Sequence, residues 1–408
     1  AGQRRLPVTI AGSVALTNIG QLVTNNPAVG DGPLGIIHGA ALVIADGVVS
    51  WAGDMHDVLA HTDNAPLNCN GRSVVPGFVD SHSHIVFAGD RSAEFAARMA
   101  GTAYAAGGIR TTVSATRNSS DDELRANAVR LIAEMHSSGT TTVEIKSGYG
   151  LETPTEERSV RIASDLVDDV TFMGAHVVAP EFDGRADDYV DLVCGDMLSA
   201  CAPYSTWIDV FCDRGAFNRD QSQRILQAGI AAGLRPRIHL AQLEPSDAIA
   251  MAIDLDCASA DHLTFLTDED VAALGASNTV AGLVPAADFS TRAPRYPRAR
   301  DLLDAGATIA LSPDCNPGSS YTSSMPFTIA LAVREMGMTC DEALQAATMG
   351  GAAALRRSNL GHLSVGAAGD FVVLDAPSHV HLAYRPGVHL TSSTWKNGVA
   401  VYRKEGPL

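Results

Sequence analysis

The chain has 408 residues, of which 46% are hydrophobic and 18% are charged. This balance is typical of a globular protein with a large core, and at about 150 residues per domain the length fits one large barrel with a smaller domain. The longest apolar runs extend over only a handful of residues, whereas a bilayer span needs about 20, so we expect no membrane-spanning segment.

The charge and the cysteine content indicate which binding partners and which cellular compartment to expect. The 29 basic and 46 acidic residues give a formal net charge of −17. A surface this acidic repels phosphate backbones and anionic lipids, so we expect neither nucleic acid nor a membrane as a partner. The seven cysteines form no C-x-x-C pair, which argues against a disulfide framework. Since no basic and apolar leader pattern opens the chain, we predict a cytoplasmic protein.

Both ends of the chain are predicted to be β-rich, whereas the middle alternates strands with helices. Residues 1–73 contain short β-like runs at 40–44 and 48–52, and residues 364–408 continue this style at 370–374 and 399–402. Eight apolar runs lie between these segments, and most lack strict alternation, as is typical of parallel strands buried on both faces. They are residues 74–85, 140–145, 170–175, 207–212, 235–240, 258–263, 279–284 and 308–311.

Helix-start signals lie between these predicted strands. Each is marked by a capping residue: Ser120 with Glu123, Thr153 with Glu156, Asn218 with Gln221, and Thr267 before an acidic turn. Eight strands alternating with helices predict an α/β fold, a (β/α)8 TIM barrel over residues 74–363. No G-x-G-x-x-G follows a strand, which weakens the dinucleotide-binding alternative. Residues 1–73 and 364–408 are predicted to form one small composite β-sandwich domain.

Metal-competent side chains fall at the predicted carboxyl ends of the barrel strands, where the active sites of such barrels lie. They are His82 and His84 on the first strand, His176 on the third, His239 on the fifth, His262 on the sixth and Asp314 on the eighth. Residues two apart on a strand face the same way, so the first two histidines point together. A lone histidine in an apolar run is more often a core residue, but five at equivalent ends, with a carboxylate, favour a functional site.

Three imidazoles and a carboxylate are a ligand set for Zn²⁺ or Fe²⁺ with room for a water molecule. Such an ion lowers the pKa of water from 15.7 to about 7. Reaction at a carbonyl also needs a proton acceptor, a donor for the leaving nitrogen and a group that polarises the oxygen. These residue types together predict a metal site that activates water.

Several segments resemble the amidohydrolase superfamily. Residues 75–84 (V-P-G-F-V-D-S-H-S-H) are similar to its first-strand signature, and residues 312–318 (S-P-D-C-N-P-G) are similar to its eighth-strand aspartate segment. Within the superfamily, residues 143–150 (V-E-I-K-S-G-Y-G), 87–91 and 174–176 resemble the imidazolonepropionase family. The resemblance runs from about residue 35 to the C-terminus.

This resemblance implies one Zn²⁺ or Fe²⁺ held by residues matching His82, His84, His239 and Asp314. It implies hydrolysis of the cyclic amide of 4-imidazolone-5-propanoate to N-formimidoyl-L-glutamate in histidine degradation, by a homodimer. Relatives with two metals bridge them through a carboxylated lysine on the fourth strand. Residues 207–212 contain no lysine, so we predict a mononuclear site.

The candidate site residues are also predicted to have catalytic or substrate-binding roles. Asp314 is expected to take a proton from water and pass it to the ring nitrogen, and His262 is expected to orient the hydroxide or polarise the carbonyl. Arg91 offers a two-point contact to the substrate's propionate, with a surface salt bridge as the alternative. The other predicted substrate contacts are Tyr104, Tyr149, His176, Gln242, Asn316, Gly318 and Ser319. Gln242 can donate and accept hydrogen bonds but cannot act as a base.

Two alternative functions stay open at this point. A deaminase or deiminase of another nitrogen heterocycle or amidine uses the same metal and aspartate, and only pocket residues such as Arg91 and Tyr149 distinguish it. A non-catalytic barrel scaffold is the other alternative, and it is not expected to retain about one ion per chain. The segment 286–292, after the seventh strand, lacks the aromatic cluster of many relatives, so contacts from it to the substrate stay open as well.

Overall fold

The computed structural model of the protein describes residues 12–101 and 108–404. The chain divides into two compact units, one comprising residues 1–81, 132–142 and 323–408 and the other residues 82–131 and 143–322. The domain limits expected from the sequence, 1–73 with 364–408 and 74–363, stay a prediction.

The strands of the described residues fall into two sheets. They are β1 (Val14–Val23), β2 (Ile36–Ala45), β3 (Val48–Asp54), β4 (Leu67–Asn68), β5 (Ser73–Pro76), β6 (Phe78–Asp80), β7 (Thr140–Lys146), β8 (Asp169–Ala175), β9 (Trp207–Cys212), β10 (Arg235–Pro236), β11 (Ile238–Leu240), β12 (Ser259–His262), β13 (Val280–Leu283), β14 (Ile309–Leu311), β15 (Phe371–Leu374), β16 (Thr391–Lys396) and β17 (Val399–Arg403).

The helices are concentrated between the barrel strands. They are α1 (Ser92–Met99), α2 (Ile109–Asn118), α3 (Asp121–Ser137), α4 (Thr153–Ser164), α5 (Ala186–Leu192), α6 (Leu198–Cys201), α7 (Arg219–Ala231), α8 (Ile249–Asp254), α9 (Asp268–Gly275), α10 (Pro285–Thr291), α11 (Ala299–Asp304), α12 (Met325–Glu335), α13 (Cys340–Gln345), α14 (Gly351–Ala354) and α15 (His381–Tyr384). Within residues 12–101 and 108–404, no helix combines the length and the apolar character that a membrane span requires.

Strands from both ends of the chain form the first sheet, in the order β17-β16-β15-β5-β1-β2-β3, with β4 beside β1. Its core contains apolar side chains from both ends, among them Leu16, Ile19 and Leu22 from β1. The rings of Phe371 and Trp395 stack in this core with their centroids 5.4 Å apart. The predicted β-domain built from both termini is therefore confirmed.

The second sheet is the barrel, in the order β6-β7-β8-β9-β11-β12-β13-β14. From β7 to β14, neighbouring strands in this order pair in parallel. Past the strand ends, the backbone of Ser83 bridges to Cys315, which links the first and last positions of the order. Every residue of β7, β8 and β9 is buried, which explains why these runs are apolar without alternation. The predicted (β/α)8 barrel is confirmed.

The predicted first barrel strand, residues 74–85, is wrong in its extent. Residues up to Pro76 belong to β5 in the terminal sheet, and only Phe78–Asp80 form the barrel strand β6. Gly77 separates the two strands, and a Cβ at this position would lie 2.3 Å from the Thr141 hydroxyl oxygen. Pro76 and Gly77 interrupt the apolar residues of this segment, but they do not show that the chain passes from one sheet to the other.

The helix-start predictions are confirmed with one exception. Capping hydrogen bonds join Ser120 to Glu123, Asn218 to Gln221 and Thr267 to Asp270. Helix α4 instead has Glu152 at its N-cap without a side-chain capping bond, so the predicted Thr153 cap is wrong. The carboxylate of Glu156, expected to close that cap, binds the loop after β7.

Candidate metal centre and active site

The predicted metal-binding side chains meet beyond the carboxyl ends of the barrel strands. His82 and His84 follow β6, His239 lies within β11, and Asp314 follows β14. All four residues are buried, with at most 3% of their surface exposed. The His82 and His239 rings lie 4.3 Å apart between centroids, and the His84 and His239 rings lie 5.3 Å apart. The barrel therefore brings together residues that are far apart in the sequence.

Their potential ligand atoms converge closely. Asp314 Oδ1 lies 3.5 Å from His82 Nε2 and 3.7 Å from His84 Nε2. His239 Nε2 lies 3.3 Å from His84 Nε2. His262 also belongs to this group, since ligand atoms of His82, His239 and His262 lie within 4.8 Å of one another. Sequence reasoning gave His262 a catalytic role only, whereas its position also suits a ligand.

Two buried aspartates, which sequence reasoning missed, fix the imidazoles of two of these histidines. Nδ1 of His82 lies 2.9 Å from Asp261 Oδ2, and Nδ1 of His239 lies 3.0 Å from Asp209 Oδ1. A carboxylate accepts the proton of Nδ1, which leaves Nε2 of each ring as an acceptor. The available signal was a carboxylate inside an apolar strand, at Asp209 in β9 and at Asp261 in β12.

This arrangement fits a bound cation. With its Nδ1 proton donated to Asp261, His82 has Nε2 as an acceptor, and this Nε2 faces the Asp314 carboxylate. Acceptors that face one another repel, and a divalent ion among three nitrogens and one oxygen removes that repulsion. Burial, the largest cause, lowers the pKa of His82 and of His84 well below the ordinary value, so both rings are neutral, the form that binds metals.

Buried cations stabilise the two aspartates. Lys146 Nζ lies 2.9 Å from Asp209 Oδ2, and Arg237 Nη2 lies 3.4 Å from Asp261 Oδ2. Burial by itself raises the pKa of Asp209, but His239 and then Lys146 outweigh it and hold this pKa well below its usual value. Asp209 is therefore ionised at neutral pH and can hold the imidazole proton of His239.

A pocket opens next to these residues. Its lining includes the following predicted site residues: Arg91, Tyr149, His176, Gln242, Asn316 and Ser319, together with His84, His239, His262 and Asp314. The lining also includes Ile109, Val177 and Phe211, which sequence reasoning did not single out. Gly318 lies behind Arg91, because a Cβ on it would be 2.2 Å from Arg91 Nη1. Tyr104 lies outside the described residues.

The loop after β7 places Tyr149 at the pocket. Glu156 accepts hydrogen bonds from the backbone amides of Gly148 at 2.9 Å, Gly150 at 2.7 Å and Leu151 at 2.8 Å. Nδ1 of His176 lies 3.0 Å from the Gly148 carbonyl oxygen, which accepts its proton. Glu156 thus determines the loop conformation that positions two predicted substrate contacts.

The loop after β14 is organised by Asn316. Its Oδ1 accepts from the backbone amides of Gly318 and Ser319, both at 2.8 Å. Its Nδ2 donates to the Asp314 carbonyl oxygen at 2.7 Å. Asn316 therefore lines the pocket while its amide holds the loop that carries Asp314, a role that the sequence prediction of a substrate contact did not include.

Comparison with solved structures finds the same fold in other proteins. A triazine hydrolase variant superposes with a TM-score of 0.75 at 17% identity, covering 97% of this chain and 96% of that chain. Guanine deaminase from E. coli gives a TM-score of 0.66 at 16% identity, covering 97% and 100%. At these identities the likeness concerns the fold alone.

Comparison with curated sequences is more specific. The model of the amidohydrolase family matches residues 93–402. The chain is 58% identical over 391 residues to the imidazolonepropionase of Mycolicibacterium smegmatis, covering 96% of this chain and 98% of that protein. It is 60% identical over 390 residues to the imidazolonepropionase of Streptomyces griseus subsp. griseus, covering 95% and 99%. The chain therefore belongs to the imidazolonepropionase family of amidohydrolases.

Proposed function

We propose that the protein hydrolyses the cyclic amide C–N bond of 4-imidazolone-5-propanoate and releases N-formimidoyl-L-glutamate. The observation that carries this proposal is a single pocket in which the buried histidines and Asp314 adjoin Arg91, a cation suited to the substrate's carboxylate. The near-full-length similarity to curated imidazolonepropionases supports the same substrate.

The residues proposed to hold one divalent ion are His82, His84, His239 and Asp314. When bound, Zn²⁺ or Fe²⁺ acts as a Lewis acid and lowers the pKa of water from 15.7 to about 7. Both ions suit a set of three imidazole nitrogens and one carboxylate oxygen. Asp261 and Asp209 keep the Nε2 lone pairs of their histidines directed at the site.

Asp314 is the proposed proton carrier. The water oxygen forms a bond to the carbonyl carbon, and Asp314 accepts the proton that the water gives up. When the ring C–N bond breaks, the same carboxyl group donates a proton to the leaving nitrogen. Gln242 also lines the pocket, but an amide cannot take up this proton, which leaves the task to Asp314.

His262 is proposed to orient the water or to polarise the carbonyl oxygen. Its ring lies 5.2 Å from the His239 ring between centroids, and it lines the same pocket. Burial, the largest cause, lowers the pKa of His262 well below the ordinary value. A neutral imidazole can donate one hydrogen bond and accept another, as this role requires.

The substrate is proposed to lie with its propionate at Arg91 and its ring at Tyr149 and His176. Further proposed contacts are Gln242, Asn316, Gly318 and Ser319, and Tyr104 by resemblance to the family. Burial lowers the pKa of His176 to about 3, so this ring is neutral as well. Since Nδ1 of His176 donates to Gly148, its Nε2 is an acceptor for a ring N–H of the substrate.

The proposal is tested with metal-loaded protein and enzymatically prepared 4-imidazolone-5-propanoate. We expect loss of substrate absorbance in proportion to enzyme, after subtraction of spontaneous decay, and formation of N-formimidoyl-L-glutamate without ammonia. Ammonia released in step with substrate loss would identify a deiminase instead. A metal-loaded protein that leaves the decay rate unchanged would contradict both activities.

The proposed assembly is a homodimer in the cytoplasm, with the small-molecule substrate as its partner. All seven cysteines are free, which agrees with a reducing compartment. The dimer follows from the family resemblance, and light scattering on the purified protein tests it directly.

A further inference from the structure

Arg91 is bound by a carboxylate of the helix that follows it. Arg91 Nε donates to Glu94 Oε2 at 2.9 Å, and Arg91 Nη2 donates to Glu94 Oε1 at 2.7 Å. This two-point contact occupies the side-on edge of the guanidinium group, formed by Nε and Nη2. A substrate carboxylate can therefore make its own two-point contact with Arg91 only at the end-on edge, formed by Nη1 and Nη2.

Arg98 holds Glu94 from one helical turn further on. Arg98 Nη2 donates to Glu94 Oε1 at 3.1 Å and to the Gly318 carbonyl oxygen at 2.9 Å. The Arg98 side chain is only 4% exposed, and its Nη1 donates to the Ser290 carbonyl oxygen at 3.3 Å. Glu94 is thus shared by two buried guanidinium groups.

Two glycines provide the space for this pair. A Cβ at Gly108 would lie 2.0 Å from Glu94 Oε2, and a Cβ at Gly318 would lie 2.2 Å from Arg91 Nη1. The backbone does not demand glycine at these positions, since Gly108 has a φ of −64° and Gly318 is not among the described glycines of positive φ. Close approach of the Arg91–Glu94 pair therefore explains why both positions lack a side chain.

We propose that Glu94 is a positioning residue that, with Arg98, directs the end-on edge of Arg91 toward the pocket, where it binds the carboxylate of the ligand. This inference rests on the proposed function and adds to it the means by which the propionate is selected. The pocket lining of the described residues includes Arg91 but not Glu94, so Glu94 acts through Arg91.

The test uses two ligands that need no turnover, imidazole-4-propionate and its methyl ester. Their affinities for the metal-loaded wild-type protein and for Glu94→Gln are measured by calorimetry. The amide keeps the size of Glu94 but loses the charge and one acceptor, so we expect the propionate to bind about 10-fold more weakly. We expect the affinity of the ester to stay unchanged, because it has no carboxylate for Arg91.

Two further variants make the comparison specific. Glu335→Gln is the matched control, because Glu335 pairs with Arg334 at the surface of the other compact unit, and it should bind both ligands like the wild type. Gly318→Ala should reproduce the loss for the propionate, since the added methyl group displaces Arg91. The Glu94 side chain is 31% exposed, so Glu94→Gln is expected to fold, and its melting temperature verifies this.

The outcomes separate this inference from the proposed function. An unchanged affinity of Glu94→Gln for the propionate, or an equal loss for both ligands, would overturn the positioning role. If the wild type hydrolyses 4-imidazolone-5-propanoate, the variant should raise KM and leave kcat nearly unchanged. A wild type that leaves this compound intact refutes the proposed function, whereas the binding data still decide the role of Glu94.

Discussion

The ammonium group of Lys146 lies 2.9 Å from Oδ2 of Asp209, and both side chains are fully buried inside the barrel. The same ammonium lies 3.1 Å from Glu144 Oε1. Asp209 in turn accepts the Nδ1 proton of His239 at 3.0 Å. One buried cation thus contacts two carboxyl groups, one of which orients a proposed metal ligand. Lys146 connects the stability of the barrel to the geometry of the site.

Replacing Lys146 with Met is expected to destabilise the metal-free protein by about 3–5 kcal/mol, because it leaves buried charges without their partner. Urea unfolding in the presence of a chelator measures the change. The double variant Lys146→Met/Glu144→Gln should recover part of the loss, since it removes one of the two carboxylates. Lys404→Met, at a half-exposed surface pair with Asp375, should be neutral. A Lys146→Met protein as stable as the wild type would contradict the electrostatic role of this residue.

Asp209→Asn is expected to weaken metal binding by about 10–100-fold, because the amide is a poorer acceptor for the His239 proton than the carboxylate. Competition with a chromogenic chelator measures the affinity without any assay of turnover. Asp165→Asn, at an exposed pair with Arg125, serves as the matched control and should bind metal like the wild type. Equal affinities of Asp209→Asn and the control would show that His239 needs no carboxylate partner.

The fold could be predicted from the sequence because its signals are local. Buried parallel strands are short apolar runs, and capping residues such as Asn218 and Thr267 mark the helices between them. The strand at 74–85 was predicted incorrectly because a local apolar run does not show which sheet it joins. Pro76 and Gly77 interrupt the run, but the contact that explains the change of sheet, between Gly77 and Thr141, joins residues that are distant in the sequence.

The sequence was sufficient to predict the proposed metal ligands, but not the residues that orient the functional side chains. His82, His239 and Asp314 stand out because metal-competent side chains end apolar strands at equivalent positions. Asp209 and Glu94 do not stand out in this way, because their roles depend on partners. Asp209 acts through a histidine 30 positions away in the sequence, and a Glu in the first turn of a helix, such as Glu94 in α1, is common without any functional role.

Asp314→Asn is expected to lower kcat by about 10²–10⁴-fold, since the amide cannot carry the proton from water to the leaving nitrogen. Metal content must be measured on the same sample, because Asp314 is also a proposed ligand. A variant that retains about one ion per chain and loses turnover supports the proton-transfer role. Unchanged turnover would remove that role, and Asp301→Asn on the exposed face of α11 is the control for the substitution itself.

Glu156→Gln is expected to cost about 1–3 kcal/mol of stability, because the amide leaves at least one of three backbone donors unsatisfied. The loop that these donors belong to carries Tyr149, so KM should rise together with the loss of stability. The neighbouring substitution Glu157→Gln, on the same helix, should change neither quantity. Denaturant unfolding and steady-state kinetics provide both readouts, and a destabilised variant with an unchanged KM would separate Tyr149 from substrate binding.

Asp288 lies in α10, the helix that follows strand β13, and its carboxyl group is buried. Its Oδ1 accepts a hydrogen bond from the Thr264 hydroxyl at 2.8 Å, whereas its Oδ2 has no hydrogen-bond partner among the described residues. Burial raises the pKa of Asp288 to about 7, and the hydrogen bond from Thr264 only partly opposes this effect. The group is neither a proposed metal ligand nor part of the pocket lining, so its titration reports on folding.

Asp288 should therefore make the protein less stable as the pH rises. The unfolded chain loses this proton near pH 4, whereas the folded chain keeps it up to about pH 7. Between these values the folded state binds more protons, so stability falls by up to about 1.4 kcal/mol per pH unit and levels off above pH 7. Asp288→Asn keeps the acceptor for Thr264 and has no proton to lose, so its stability advantage over the wild type should grow from pH 4 to pH 7 and then stay constant. Urea unfolding of both proteins across this range measures that difference, in which the contributions of all other titrating groups cancel. A difference that is independent of pH would show that Asp288 titrates alike in the folded and unfolded states.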